Sequence, residues 1–301
     1  RVLRDEVGKV SGIVESGDAD DAVRAISEVL GGIYLFDTSW LWSNLESLEP
    51  SQSGEIYLTD LVSRAYGQGI VVNTVQTQEW QEIIGVNTRS QLAMAEAVLR
   101  DRIREYWMGT GVTMPDTGSV YIDIQAVLGQ ETTIHPNTHV SGHSQIGRDC
   151  EIGPNAIVDD CRIGDRCVVV SSVIRGSTLE DDVEVGPFSH IRPGSHLESN
   201  VHIGSSAEIK NSRLGRGTKS GHFSFIGDAV VGAEVNIGAG TVTCNYDGVT
   251  KHKTRIGDGA LIGSASMLVA PVTIGDRAET GAGSVVTGDV LPGALVVGVP
   301  A

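Results

Sequence analysis

The residues that could do chemistry gather in the second half of the sequence. His222 follows Gly221, and Arg192, Lys210 and Lys219 precede it at short intervals. Arg192 and Lys210 stand three sixes apart along the chain. If the chain coils with that period, the two cations stack on one face. Stacked cations repel unless an anion lies between them. In a chain of net charge −16, such a local cationic group reads as a phosphate site. A neutral imidazole beside it can take a proton from an attacking amine. Taken alone, His222 reads better as a solvated or satisfied side chain, and it is the nearby Arg192, Lys210 and Lys219 that strengthen the functional reading.

A second candidate is a break in pattern. Residues 238–254, GAGTVTCNYDGVTKHKT, are polar and contain an Asp-Gly turn signal. A projecting loop is the simplest outcome. It is either a tolerated surface insertion or a segment that reaches a neighbouring chain to close a site. The remaining histidines do not converge. His190, His196 and His202 are six apart, which sends them to three different faces of a coil with that period. His135, His139 and His143 are four apart and also spread. Neither set has zinc spacing. Cys150, Cys161, Cys167 and Cys244 form no CxxC pair and read as small buried residues in a reducing compartment.

The element that must position these residues is a repeat. Aliphatic residues recur every six positions at Leu128, Ile134, Val140, Ile146, Ile152 and Val158. They recur again from Val185 to Ile209 and from Ile256 to Ile274. A helix would repeat at 3.6 and a strand at 2. Six fits a coil with three flat faces, one inward aliphatic residue per face. Many of these residues are followed by Gly, expected to turn the corner with permissive φ/ψ. Steps of five at Val158→Ile163, Ile209→Leu214 and Ile226→Val231 read as tightened corners. At Gly221-His222 the histidine reads as standing where the period calls for an apolar residue. Residues 121–288, less an insertion at Cys244–Lys253, make about nine coils of three sixes each, stacked as parallel strands.

The first part of the chain reads differently. Asp20 is expected to cap a helix with Val23, Ile26, Val29 and Leu30 on its apolar face, stopped at Gly31-Gly32. Ile33–Phe36 and Ile70–Val75 read as strands. Asp37 caps a second helix with Leu41, Leu45 and Leu48. Thr59–Tyr66 is a third, and Thr88–Trp107 a long fourth with Leu92, Leu99, Ile103 and Tyr106 on one face. Strands alternating with helices suggest part of a parallel sheet. The expected division is 1–87 as the end of an α/β domain, 88–118 as linker helix and connection, and 119–301 as β-helix.

Composition excludes several classes. Glycine supplies 38 of 301 residues and aromatics only 5%, which suits a coil of small corners and an aliphatic core. No apolar run approaches the roughly 20 residues that span a bilayer, and no secretory signal opens the chain. The 38 acidic against 22 basic residues argue against nucleic acid as main partner. The chain opens at Arg1 and is expected to begin inside a longer protein.

The words GPFSHIRPG (186–194), KNSRLGRGTKSGH (210–222), NIGAGTVTCNYDG (236–248), KHKT (251–254) and LVAPVTIGD (268–276) closely resemble the acetyltransferase half of the bifunctional GlmU family. GIVE (12–15), GEIYLTD (54–60) and GVNTRSQLAMAE (85–96) resemble the end of its uridylyltransferase half. That family makes UDP-N-acetylglucosamine in the cytoplasm. The resemblance implies a left-handed parallel β-helix preceded by a partial α/β nucleotidyltransferase domain. It implies acetyl transfer from acetyl-CoA to glucosamine-1-phosphate, with His222 as general base. Arg192, Lys210 and Lys251 would hold the sugar phosphate, and Phe225 and Asn236 would contact the sugar. Ala239, Asn245, Tyr246, Ser264 and Ala282 would line the acetyl-CoA side, with the Ser264 region as oxyanion donor. The family forms homotrimers with sites between neighbouring chains and no membrane insertion. Glu15 would be a sugar contact, and Asn87 a Mg2+ ligand, of the UTP-dependent half.

There are departures from the family. Phe225 stands where it has Tyr, Val299 where it has a CoA-binding Arg, and Leu30 where it has a sugar-binding Asn. The Gly-rich nucleotide loop, its catalytic Lys and one metal-binding Asp have no counterpart in these residues. Acetyl transfer is therefore expected of this chain, and uridylyl transfer only of an intact parent. The alternative is a β-helix that serves mainly as a trimerising scaffold because Phe225 and Val299 have disabled acetyl transfer. A different amino-sugar phosphate as acceptor is a further alternative.

Overall fold

The structure is a computed structural model that describes residues 1–51 and 54–301. It divides into two compact units, Arg1–Val98 and Leu99–Ala301. No helix among the described residues is long and apolar enough to cross a membrane.

The second unit is a parallel β-helix of about ten coils. Its strands are short and stack in three sheets. Face 1 runs from Tyr121–Ile122 to Val285–Val286 in ten strands. Face 2 runs from Val127–Leu128 to Val272–Ile274 in nine. Face 3 runs from Thr133–Ile134 to Leu295–Val296 in ten. The count exceeds the expected nine because the coils continue past residue 288, where Leu295–Val296 pairs with Glu279–Thr280. Parallel register stacks like on like, as in Ile191 on Ile209 and Leu197 on Leu214. Ile134, Ile152, Ile174, Ile191, Leu197 and Ile209 are fully buried. Burying each contributes about 1.5–3 kcal/mol. The histidines at 190, 196 and 202 do fall on faces 1, 2 and 3.

Two expectations about this unit are corrected. Gly153 and Gly186 do turn with positive φ, but most glycines that follow inward aliphatic residues, such as Gly147 and Gly238, do not. They are required because the next coil passes too close. A Cβ on Gly147 would lie 2.5 Å from the Gly164 carbonyl oxygen, and one on Gly238 would lie 2.5 Å from the Ser264 nitrogen. Among the described residues, eight of the sixteen non-glycine residues at left-handed φ are Asn or Asp, whose short polar side chains tolerate that region, and glycines such as Gly142, Gly176 and Gly217 take further corners. The three steps of five close on Asp160, Asn211 and Asp228, at φ 50°, 44° and 50°. The second correction concerns His222. The inward slot in that coil belongs to buried Ser220, while His222 stands exposed further along the same corner.

The first unit contains an antiparallel pair, Val2–Arg4 with Val10–Ile13, in which Val2 faces Ile13. Helix α1 spans Asp21–Arg24, α2 Thr38–Leu45 and α3 Asp60–Gly67. Asp20 and Asp37 cap α1 and α2 as expected, each accepting a backbone N–H from the first turn. Helix α1 stops well short of Gly31, and its apolar residues are not buried. Residues 33–36 and 70–75 run without regular strand pairing, so the expected strands are absent. Ile33, Leu35 and Val75 are almost fully exposed. A short segment becomes a strand only when a partner saturates its backbone, and none does so among the described residues. The small core here joins Val2, Val10, Ile13 and Val62, with Leu30, Tyr34 and Val72 packed against it.

Helix α4 covers Arg89–Gly109. Its expected apolar face is largely exposed at Leu92, Leu99 and Tyr106. Ile103 of that face does pack on the first coils, joined by Trp107, and buried Arg104 donates to the Val120 carbonyl at 3.2 Å. Arg100 lies 4.8 Å from the Tyr121 ring centre, and that ring stacks on His139.

Candidate functional site

Two corners of the β-helix, at opposite edges of face 1, collect the residues singled out in the sequence. At the corner from face 3 into face 1, Lys219 pairs with Asn236, Asn236 with Leu261, and Leu261 with Glu279. A little further along each coil, this register puts His222, Ala239, Ser264 and Ala282 in one column on four consecutive coils. The coils are held together there by backbone bonds. Ala265 N–H donates to the Ala239 carbonyl at 2.7 Å, and Gly283 N–H to that of Ser264 at 2.8 Å. Under His222, the buried hydroxyls of Ser220 and Ser224 share a hydrogen bond of 2.8 Å across the corner. His222 and Asn236 are exposed; Ala239, Ser264 and Ala282 are half-buried or exposed at the rim.

At the corner from face 1 into face 2 lie the cations. Arg192 follows the strand His190–Ile191, and Lys210 ends the strand Ala207–Lys210 one coil later. The Arg192 carbonyl accepts from the hydroxyls of Ser177 and Ser195 at 2.9 and 2.7 Å. Its guanidinium donates to Glu208 Oε1 at 2.7 Å. His190 is in register with Glu208, and its pKa is held below the ordinary value. Burial is the main cause, and Arg192 and Arg175 add to it against Glu208. The Lys251 ammonium lies against Lys210 and lowers the pKa of Lys210, with smaller contributions from burial and Arg192. Two like charges in contact mark a place where an anion is wanted.

Lys251 comes from the loop. Residues 245–253 form a tight turn in which Tyr246 bridges Lys251 in antiparallel fashion. The turn is organised by Asp247. Its carboxylate accepts from the backbone of Val249 and Thr250 at 2.8 and 2.7 Å, and pairs with His252 at 2.7 Å. These donors, the Thr250 backbone first, hold its pKa far below the carboxylate range. The Tyr246 hydroxyl is already used, donating to the Gly248 carbonyl at 2.6 Å. Asn245 is buried, and its amide nitrogen donates to Asp228 at 2.6 Å rather than facing out.

Phe225 lies between the two corners, on the strand Ser224–Gly227, in register with Glu208 and Val242. Its ring covers Gly227 so closely that a Cβ there would come within 2.7 Å of it. Val299 is exposed near the end of the chain. Glu208 and Asp228 escaped the reading of the sequence. Both are acids, and only the register reveals that they stand beside Arg192 and Lys210.

In the first unit, Glu15 Oε1 accepts from Thr59 Oγ1 at 3.0 Å. Glu15 lines a hollow with Leu30 and Tyr34. Asn87 is exposed at the start of α4, and its backbone N–H is capped by the Gln91 side chain at 2.8 Å. These residues do not fit a Mg2+ site. Asn87 offers one neutral oxygen, and no cluster of three His, Cys, Asp or Glu able to hold a metal exists among the described residues.

A family model described as bacterial transferase hexapeptide (six repeats) matches residues 125–159, 143–175, 176–211 and 253–288. Over 300 residues the chain is 49% identical to a protein of Heliobacterium modesticaldum named bifunctional protein GlmU, covering 99% of this chain and 65% of that one. A protein of the same name from Fervidobacterium nodosum is 46% identical over 299 residues, again covering 99% and 65%. The chain thus spans about 65% of the length of these curated relatives. Among solved structures, the polysialic acid O-acetyltransferase OatWY is 17% identical with a TM-score of 0.33, covering 62% of this chain and 84% of that one.

Proposed function

The chain belongs to the family of the bifunctional GlmU proteins, and we propose that it transfers an acetyl group from acetyl-CoA to the amine of glucosamine-1-phosphate. One observation carries this reading: the register column His222, Ala239, Ser264, Ala282 lies at one edge of face 1, and the cations Arg192, Lys210 and Lys251 lie at the other. A base and an anion site so arranged suit the two ends of an amino-sugar phosphate.

The roles follow from chemistry. The phosphate binds Arg192, Lys210 and Lys251, which relieves the repulsion between the two lysines. The sugar lies over Phe225 with its amine at His222. The imidazole accepts a proton as the amine nitrogen attacks the thioester carbonyl. The carbon–sulfur bond breaks, and the CoA thiolate leaves and takes up the proton. The small side chains of Ala239 and Ala282 leave a groove for the CoA arm. Ser264 is a donor for the developing oxyanion. Asn236 contacts the sugar, and Asn245 and Tyr246 shape the loop beside the acetyl group. The acting unit is a homotrimer in which the loop meets a neighbouring copy.

Phe225 and Val299 favour a second reading, in which the β-helix mainly assembles trimers and acetyl transfer is weak. Uridylyl transfer is a proposal for the whole protein only, since the described residues build no nucleotide or metal site. The deciding experiment measures CoA release with and without glucosamine-1-phosphate, across several amino-sugar phosphates. Release that depends on the amino sugar supports the first reading. No release, with trimers intact, supports the second.

A further inference from the structure

Behind the cations sits a buried acid outside the roles described for acetyl transfer. Asp228 is only 9% exposed. It closes the corner after the strand Ser224–Gly227, and its backbone N–H donates to the Lys210 carbonyl at 3.0 Å. One carboxylate oxygen accepts from the Asn211 amide at 2.6 Å and the other from the Asn245 amide at 2.6 Å. Asn211, Asp228 and Asn245 are evenly spaced along the chain, so they stand at one corner of three consecutive coils.

We propose that Asp228 is a positioning residue for the phosphate site: its buried carboxylate balances Lys210 and Lys251 and pins the root of the loop that carries Lys251. Three observations lead there. Both carboxylate oxygens are saturated by neutral amides, so the charge is fixed in place without being neutralised. The carboxyl is held in its charged form: burial opposes ionisation, but the donors Asn211 and Asn245, then Lys210 and Lys251, outweigh it. The Asn245 carbonyl also accepts the His252 N–H at 2.8 Å, so the residue clamped by Asp228 is the one from which the loop turns back toward Lys251.

The charges around Lys210 are then Lys251, Arg192 and Asp228, with Glu208 on the same strand and His190 on the neighbouring one. Three cations and two acids leave one positive charge in excess. Such a site accepts a phosphate readily and stays assembled when empty. Removing Asp228's charge would, by simple Coulomb attraction, favour an anion. Positioning makes the opposite forecast. Without the carboxylate Lys210 gives up its proton at lower pH and the loop root loosens, so phosphate binding weakens.

Only the kinetic arm of the test rests on the proposed acetyl transfer. In Asp228→Asn, the KM for glucosamine-1-phosphate near pH 8.5 is expected to rise by about tenfold, with kcat and the KM for acetyl-CoA within about twofold. A KM that falls or stays put overturns the proposal. The second arm needs no turnover. In the substrate-free protein with 13C-methylated lysines, the Lys210 signal, assigned by loss in Lys210→Arg, should titrate at lower pH in Asp228→Asn. Lys219 should not move. An unmoved Lys210 signal overturns the proposal even if the chain proves to have no acetyltransferase activity. Should Asp228→Asn fail to fold, Asn211→Ala frees one carboxylate oxygen and should raise the same KM by about threefold; no change there also overturns it.

Discussion

The two units of this chain use apolar residues in opposite ways. In the β-helix, Ile191, Leu197, Ile203 and Ile209 are wholly buried. In the first unit, Ile33, Leu35, Trp42, Ile56 and Val75 lie mostly in the open. Composition does not explain the contrast, since both parts are rich in strand formers. The difference is where each strand finds its partner. In the β-helix the partner lies one coil away along the chain, as Arg162 finds Thr178, Thr178 finds His196 and Ile209 finds Ile226. The repeat itself delivers backbone pairing and burial together. Residues 33–36 and 70–75 have no such partner at a fixed interval, and their apolar character alone does not make them strands.

The contrast can be tested pairwise, beginning with the largest effect. His222→Ala in the β-helix should lower acetyl transfer by about 10²–10⁴-fold without lowering Tm. Glu15→Ala in the first unit should leave the rate within about twofold. A full rate in His222→Ala would remove the imidazole from the chemistry.

Packing gives the next pair. Ile209→Ala should cost about 2–5 kcal/mol by urea unfolding of the β-helix, because a fully buried side chain leaves a cavity in a stack with little room to relax. Leu35→Ala, fully exposed, should stay within about 0.5 kcal/mol. Equal costs would mean that residues 33–36 are packed in solution. Hydrogen exchange sharpens the same point: amides of residues 33–36 and 70–75 should exchange ahead of those of Ala207–Lys210.

A smaller effect belongs to Phe225→Tyr. A restored hydroxyl beside Glu208 should lower the KM for the amino-sugar phosphate by a few fold, about 1 kcal/mol or less. A rise would show that the site is built around the phenyl ring.

The smallest effect is in acid. The folded pKa of Asp228 lies below its unfolded value of about 3.9. Its contribution to stability is therefore complete above about pH 4 and is lost as pH falls through the folded value. Asp228→Asn should flatten that part of the acid unfolding curve and leave the neutral and alkaline limbs to other groups. An unchanged acid limb would mean that the carboxylate gains nothing on folding.

The period of six, the inward aliphatic residues, the tightened corners and the interrupting loop could all be read from the amino acids, because a coil writes its geometry locally and repeats it. Cap positions at Asp20 and Asp37 could be read for the same reason. The site was readable only in part. The intervals from His222 to Ala239, from there to Ser264 and from there to Ala282 are all unequal, the middle one being stretched by the loop, so nothing in the sequence aligns them. Only the strand register, carried past the loop at 245–253, stacks them in one column. The same holds for Glu208 against Arg192, whereas Asn211, Asp228 and Asn245 are evenly spaced and only the structure shows both amides on the one carboxylate. Sequence determined the coil, because each strand's partner is a short and nearly constant distance away. Tertiary structure decided which corner each polar residue reached, because coil lengths vary by single residues and every such change rotates the next side chain to another part of the surface.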